Sequence, residues 1–218
     1  MLYIVATPIG NLKDITLRAL DVLKKVDLIA CEDTRRTRIL LDRYGISSPT
    51  TSYFKHNKTK KAQFLIGELK KGKDIGLVSD AGLPGLSDPG QFLINRAREE
   101  GIDITIIPGA DAALSSFVLS GFGRDDFVFV GFLPRKASAR RKKIKEALSL
   151  NFPVVFYESP HRILKTLQDL KDFDVEVFIA RELTKKFEEL LLGTPGELLE
   201  YFKGKAVKGE FTFVIKAR

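Results

Sequence analysis

The residues able to do chemistry are gathered in a few short connections. Thr7-Pro8-Ile9-Gly10-Asn11-Leu12, Glu32-Asp33-Thr34-Arg35-Arg36, Pro108-Gly109-Ala110-Asp111, Leu133-Pro134-Arg135 and Glu158-Ser159-Pro160-His161 each follow an apolar run. The longest is Ser79-Asp80-Ala81-Gly82-Leu83-Pro84-Gly85-Leu86-Ser87-Asp88-Pro89-Gly90, with three Gly, two Pro and two Asp in twelve residues. Glycine lets backbone approach a ligand, and proline fixes the shape of the loop. Exposed N–H and C=O groups can then read an adenine edge, or an amino and a carboxyl group. Asp80 adds a carboxylate for an ammonium or a hydroxyl. Each such loop, taken singly, is also an ordinary turn. Twelve residues exceed the ~2–6 of a usual strand-to-helix connection, and such length is generally functional.

Alternating elements must position these loops. Leu2–Ala6, Asp27–Cys31, Asp74–Ser79 and Asp103–Ile107 read as strands. Between and after them, Thr16–Val26, Arg35–Tyr44, Asn57–Lys71, Pro89–Glu100 and Asp111–Ser120 read as helices. Thr16 is an N-cap, and Gly45, Gly72 and Gly101 are C-terminal stops. Gly121-Phe122-Gly123-Arg124-Asp125-Asp126 reads as a linker. The pattern then restarts with strands at Phe127–Phe132, Val154–Tyr157, Val175–Ala180, Phe187–Leu192 and Glu210–Lys216. Its helices are Ser138–Leu150 and His161–Leu170, and Thr194-Pro195-Gly196-Glu197 opens another as a capping box. The expected fold class is α/β in two consecutive domains, 1–120 and 127–218, joined by 121–126. In such sheets ligands bind beyond the carboxyl ends of the strands, where these loops lie.

Composition narrows the function. Of 218 residues, 44% are apolar and 29% charged, as in a globular chain; the net charge of +8 favours a polyanionic partner. One cysteine excludes an internal disulfide and fits a reducing compartment, and two histidines leave little for a metal site. No apolar run reaches the ~18 residues of a membrane span, and the N-terminus lacks a basic leader, so a cytoplasmic location and no membrane partner are expected. G-x-G-x-x-G, a P-loop and G-x-S-x-G are all absent, which argues against dinucleotide-binding, nucleotide-hydrolysing and serine-hydrolase sites.

Taken in order, Ala6–Leu12, Cys31-Glu32-Asp33-Thr34-Arg35, Ser79–Gly90, Ile107-Pro108-Gly109, Gly131-Phe132-Leu133-Pro134, Tyr157-Glu158-Ser159-Pro160-His161-Arg162 and Ala180-Arg181-Glu182-Leu183-Thr184 resemble the tetrapyrrole methylase superfamily. They are most similar to its branch that 2′-O-methylates a cytidine of 16S rRNA at the decoding centre. The resemblance runs over nearly the whole chain. It implies two domains of the class III methyltransferase type, S-adenosylmethionine in the cleft between them, and a homodimer acting on small-subunit rRNA, in the assembled 30S subunit. By family pattern Pro8, Asp80, Leu83, Gly109, Asp111, Ala112, Phe132, Tyr157, Ala180 and Phe211 lie at or near the cofactor. Members of this branch often continue past the last strand, whereas this sequence stops at Arg218.

Ribose methylation requires an oriented hydroxyl, a route for its proton, and a grip on RNA. Glu32 and Asp33 are the candidates to orient or deprotonate the hydroxyl, and Arg35 to contact phosphate. The other reading is an acidic first turn that complements a helix dipole, with the arginines in solvent. Lys55 and His56, beside Tyr53 and Phe54, form one candidate RNA contact. Arg135, Lys136, Arg140 and Arg141 form another, within a stretch holding seven basic residues in eleven. A charge run ordinarily means a solvated helix face; the second stretch earns the RNA reading because it follows a cofactor loop directly. Two other functions fit less well. A porphyrinoid C-methyltransferase would need little surface basicity, and a non-catalytic ribosome-assembly protein would have no reason to keep Asp80 among intact loops.

Overall fold

The computed structural model describes residues 1–123 and 125–218; Arg124, inside the expected linker, lies outside the described residues. The chain divides into two compact units, Met1–Asp111 and Ala112–Arg218.

In the first unit, strands β1 (Leu2–Val5), β2 (Leu28–Cys31), β3 (Thr50–Ser52), β4 (Ile75–Leu77) and β5 (Ile104–Ile107) form a sheet ordered β3-β2-β4-β1-β5. Every pairing is parallel. Parallel strands need crossovers, supplied by helices α1 (Leu17–Lys25), α2 (Thr34–Arg43), α3 (Lys58–Lys70) and α4 (Gly90–Glu99). Both sheet faces are therefore covered, and the strands read as apolar runs. One core joins Leu23 of α1 and Leu41 of α2 to Val5 and Ile29; another joins Leu65 of α3 and Leu93 of α4 to Leu2 and Leu77. Thr16 caps α1, its hydroxyl accepting from Ala19 N–H at 3.1 Å. Leu17 of that helix is exposed, and Ala19 is buried. The short strand β3 has no apolar residue, so nothing in the sequence announced it.

The second unit is a mixed sheet. It contains α5 (Ala112–Ser120), β6 (Val128–Phe132), α6 (Ala137–Leu148), β7 (Val154–Glu158), α7 (Ile163–Leu170), β8 (Val175–Arg181), β9 (Glu189–Gly193), α8 (Pro195–Phe202) and β10 (Phe211–Ala217). The strand order is β6-β7-β10-β8-β9, with β6 parallel to β7 and the other pairs antiparallel. Phe211, Phe213 and Ile215 of β10 join the core built with α6, α7 and α8. Thr212 and Val214 alternate to the opposite face, where α5 packs, and are buried as well. That packing puts α5 in the second unit, so the division falls at Asp111/Ala112, ahead of the glycine-rich 121–126 segment. The capping box at Thr194 and Glu197 is formed as expected.

Candidate functional site

Because the first sheet is all parallel, its strands deliver their carboxyl ends to one edge. Thr7-Pro8, Glu32-Asp33, Tyr53, Ser79-Asp80 and Pro108-Gly109 leave the sheet there. The loops are tied to one another. Thr7 and Gly82 exchange backbone hydrogen bonds, Thr7 N–H to Gly82 O at 2.9 Å and Gly82 N–H to Thr7 O at 3.1 Å. The Thr7 hydroxyl donates to Ser79 O at 3.1 Å. Gly82 takes φ +78°, a left-handed conformation costly for a side chain. Farther along, both Asp88 oxygens accept from Gly85 N–H, at 2.8 and 2.9 Å, and Oδ1 accepts from Gly90 N–H at 2.6 Å. The Tyr53 hydroxyl, donating to Pro89 O at 3.2 Å, fastens the loop to the end of β3; burial pushes its pKa up to about 12.

The acidic residues divide by what they hold. Asp80 Oδ1 accepts from Asp33 N–H at 3.1 Å, and Oδ2 pairs with Arg36 Nη1 at 3.2 Å. Asp33 caps α2 by accepting from Arg35 N–H at 2.9 Å. It also holds the Arg35 guanidinium in a fork, Nε to Oδ1 at 3.1 Å and Nη2 to Oδ2 at 2.8 Å. Those bonds hold the Asp33 carboxyl well below the usual carboxylate range. Glu32 differs. Among the described residues its carboxylate makes neither hydrogen bond nor ion pair. It is half-buried, and desolvation, then the charges of Asp88 and Asp80, raise its pKa to about 7 against the opposing pull of Arg36. Of the two acids the sequence singled out, Asp33 is committed to structure and Glu32 is available to a proton.

A pocket opens beside these groups, bordered by Pro8, Leu12, Leu40, Arg36, Thr37 and Asp80. Arg36 and Thr37 were not singled out by the sequence. The signal was present in the Glu-Asp-Thr-Arg-Arg-Thr run, but which of its side chains face the sheet edge depends on the phase of α2.

In the second unit, Phe132, Tyr157, Ala180 and Phe211 lie along one edge of the sheet. Phe132 is in register with Tyr157, and Phe211 with Glu158 and Arg181. The rings of Phe132 and Tyr157 are 5.6 Å apart, and Phe132 is exposed. Ala180 and Phe211 are buried. Leu83 is half-buried against the first core, Gly109 is exposed, and Asp111 and Ala112 stand where the chain passes from one unit to the other.

The basic residues separate sharply. Arg135, Lys136, Lys55 and His56 are exposed, and His56 meets the Phe54 ring edge-on at 6.3 Å. Arg35 is exposed but held by Asp33. The expectation that Arg140 contacts RNA is corrected: it is 3% exposed and ion-paired with Asp169 through Nε at 2.6 Å, while Nη1 donates to Arg135 O at 3.0 Å. Arg141 is half-exposed, and its guanidinium is shared by Asp169 at 2.8 Å and Asp172 at 3.0 Å. A buried guanidinium needs a carboxylate, and α7 supplies it. A second buried pair does related work. Glu158 binds Arg162 Nε at 3.0 Å, and Arg162 Nη2 donates to Leu133 O at 2.8 Å. Two arginines thereby fix the loop after β6. Among the described residues no cluster could hold a metal ion, and no helix is long and apolar enough to cross a membrane.

The tetrapyrrole (corrin/porphyrin) methylase family model matches residues 1–199. Among curated proteins, the ribosomal RNA small subunit methyltransferase I of Thermotoga maritima is 46% identical, covering all of this chain and 98% of its own. That of Mycoplasmopsis pulmonis is 47% identical over 98% of this chain and 96% of its own. That of Halalkalibacterium halodurans is 45% identical over 99% of this chain, which spans 75% of that longer protein. Two solved structures share the fold: a diphthine synthase (TM-score 0.76, 16% identity, 99% of this chain and 89% of that one) and a uroporphyrin-III-C-methyltransferase from Thermus thermophilus (TM-score 0.65, 16% identity, 98% and 93%). The chain belongs to the tetrapyrrole methylase family and, within it, to the group of the ribosomal RNA small subunit methyltransferase I proteins.

Proposed function

We propose that this chain is the S-adenosylmethionine-dependent methyltransferase of small-subunit rRNA and that its acceptor is the ribose 2′-hydroxyl of a cytidine in the 16S decoding region. The observation that carries this reading is the likeness of 46% over essentially the full length of both chains to a small-subunit rRNA methyltransferase. The site is compatible with the cofactor. The Asp80 carboxylate and the exposed Gly109, on loops held together by the Thr7–Gly82 bridge, give the polar, closely approachable edge that an adenosyl and an amino-acid group require. Pro8, Asp80, Leu83, Gly109, Asp111, Ala112, Phe132, Tyr157, Ala180 and Phe211 would hold it. Bound there, it supplies an electrophilic methyl group.

The chain's own residues position the acceptor and move one proton. The Glu32 carboxylate takes the proton of the ribose hydroxyl as the oxygen attacks, a role its pKa of about 7 suits. Asp33 holds α2 and Arg35 in place. Arg135, Lys136, Lys55 and His56 meet the RNA backbone. The protein works in the cytoplasm, on assembled 30S subunits, as a homodimer.

Labelled methyl groups, offered with small subunits, naked 16S rRNA or a porphyrinoid, test the reading, followed by mapping of the modified nucleotide. Transfer to a cytidine ribose of the assembled subunit is expected. Transfer only to the porphyrinoid, or to a base carbon or nitrogen, would overturn it.

A further inference from the structure

We infer that the pocket bordered by Arg36 and Thr37 receives the base of the acceptor nucleotide, and that Arg36 selects a pyrimidine with two adjacent acceptors, cytosine, over uracil. The inference rests on the reading of the chain as a cytidine ribose methyltransferase.

Position comes first. The pocket shares Pro8 and Asp80 with the residues assigned to the cofactor, whereas Leu12, Leu40, Arg36 and Thr37 belong to no such set. A methyl acceptor must lie against the cofactor without occupying its site, and a pocket sharing only two of those residues meets that requirement.

The lining then describes the ligand. Pro8, Leu12 and Leu40 are apolar, as the flanks of a ring demand, and the rest of the lining is polar, Arg36 and Thr37 included. Thr37 is 6% exposed; its hydroxyl has no oxygen or nitrogen partner and lies against the weakly polar Cys31 thiol. In the first unit it is the one buried side-chain polar atom so left, among the described residues. Such a group calls for an explanation, and a ligand is one. Arg36 gives Nη1 to Asp80 at 3.2 Å, which anchors the guanidinium at the pocket and leaves its other N–H groups to donate.

Donor geometry sets the choice of base. A guanidinium presents donors only, in a planar fork that suits two neighbouring acceptors. Cytosine offers its O2 and N3 side by side to that fork. Uracil carries N–H at N3, so one donor of the fork would face another donor and its bond would be lost. Sites built on such pairing reject the mismatched base by roughly tenfold or more.

The test uses the full-length protein with small subunits lacking the modification, carrying either cytidine or uridine at the mapped position. Arg36→Lys and Thr37→Val are compared with wild type for subunit KM, kcat and cofactor affinity by calorimetry. Arg36 is exposed, so the lysine variant keeps the fold, and melting curves check the valine variant. Arg36→Lys is expected to raise subunit KM about tenfold and to narrow the cytidine-to-uridine preference, with cofactor affinity within twofold of wild type. A loss of cofactor affinity at unchanged subunit KM would assign the pocket to the cofactor and overturn the inference. So would an unchanged cytidine preference in Arg36→Lys. Absence of methyl transfer by the wild type to either subunit would instead overturn the functional reading beneath it.

Discussion

The backbone N–H of Asp33 donates to Asp80 Oδ1 at 3.1 Å, so the turn after β2 and the loop after β4 share one carboxylate. The other oxygen of that carboxylate holds Arg36. The orientation of Asp80 is therefore fixed by two independent bonds. Asp80→Ala removes the carboxylate and leaves the Asp33 N–H unpaired, a loss of about 1–3 kcal/mol at a partly buried site. Cofactor Kd should rise about tenfold or more, while binding of small subunits at saturating cofactor changes less. Calorimetry and filter binding on one preparation check it. A normal cofactor Kd would remove Asp80 from the cofactor set.

Much of this arrangement could be read from residue order. The first unit repeats strand, loop and helix with glycine stops, and a parallel sheet sends every such loop to one edge, so the order of residues alone brings Thr7-Pro8, Asp80 and Gly109 together. Three things could not be read. The strand β3 is three polar residues long, and only pairing to β2 makes it a strand. Arg140 lies in a run of exposed basic residues, and its burial is decided by Asp169, 29 positions away on α7. Asp33 caps α2 as its residue type favours, but the raised pKa of Glu32 comes from burial and from Asp88 and Asp80, in a loop far away in sequence.

The Glu32 carboxyl predicts a pH dependence with a definite sign. Its pKa in the folded chain, about 7, stands above the ordinary 4.5 because desolvation, then Asp88 and Asp80, disfavour the charged form. If Glu32 accepts the ribose proton, kcat rises as pH passes through about 7 and levels above it. Glu32→Gln should lower kcat by about 10²–10⁴-fold and abolish that limb, with cofactor affinity preserved. The same shift is a stability statement. A raised carboxyl pKa stabilises the fold below the unfolded value and loses that contribution as pH rises through the folded one. The melting temperature of wild type relative to Glu32→Gln should therefore fall between pH 4.5 and 7. Parallel melting curves across that window would refute the environment described for Glu32.

Gly82 tests the bridge between the first two loops. Its φ of +78° strains any residue with a Cβ, and an added Cβ would come within 3.3 Å of Ile9 Cγ2 and 3.5 Å of Ala110 O. The left-handed conformation alone costs about 1–2 kcal/mol. Gly82→Ala should lower the melting temperature by a few degrees and weaken cofactor binding by more than the stability loss explains, because Gly82 is paired to Thr7 in both directions. Gly196→Ala is the control. It lies in the first turn of α8 with ordinary φ and an open neighbourhood, and should leave cofactor binding unchanged.

The basic stretch after β6 is two populations, and mutation should separate them. Arg140 is buried and bonded to Asp169 and to the Arg135 carbonyl; removing it leaves the Asp169 carboxylate without a buried partner. Breaking one side of a buried pair costs about 3–5 kcal/mol. Arg140→Ala should therefore be a folding mutant, with a clear drop in melting temperature and activity lost in proportion to unfolded protein. Arg135→Ala and Lys136→Ala remove exposed charges and should leave melting unchanged. If both contact phosphate, each reduces the slope of log affinity against log salt for RNA by about one. Equal salt slopes in wild type and the double variant would take this segment off the RNA path and leave Lys55 and His56 as the contact. A stable Arg140→Ala with weakened RNA binding would show that its buried pairing yields on contact with the subunit.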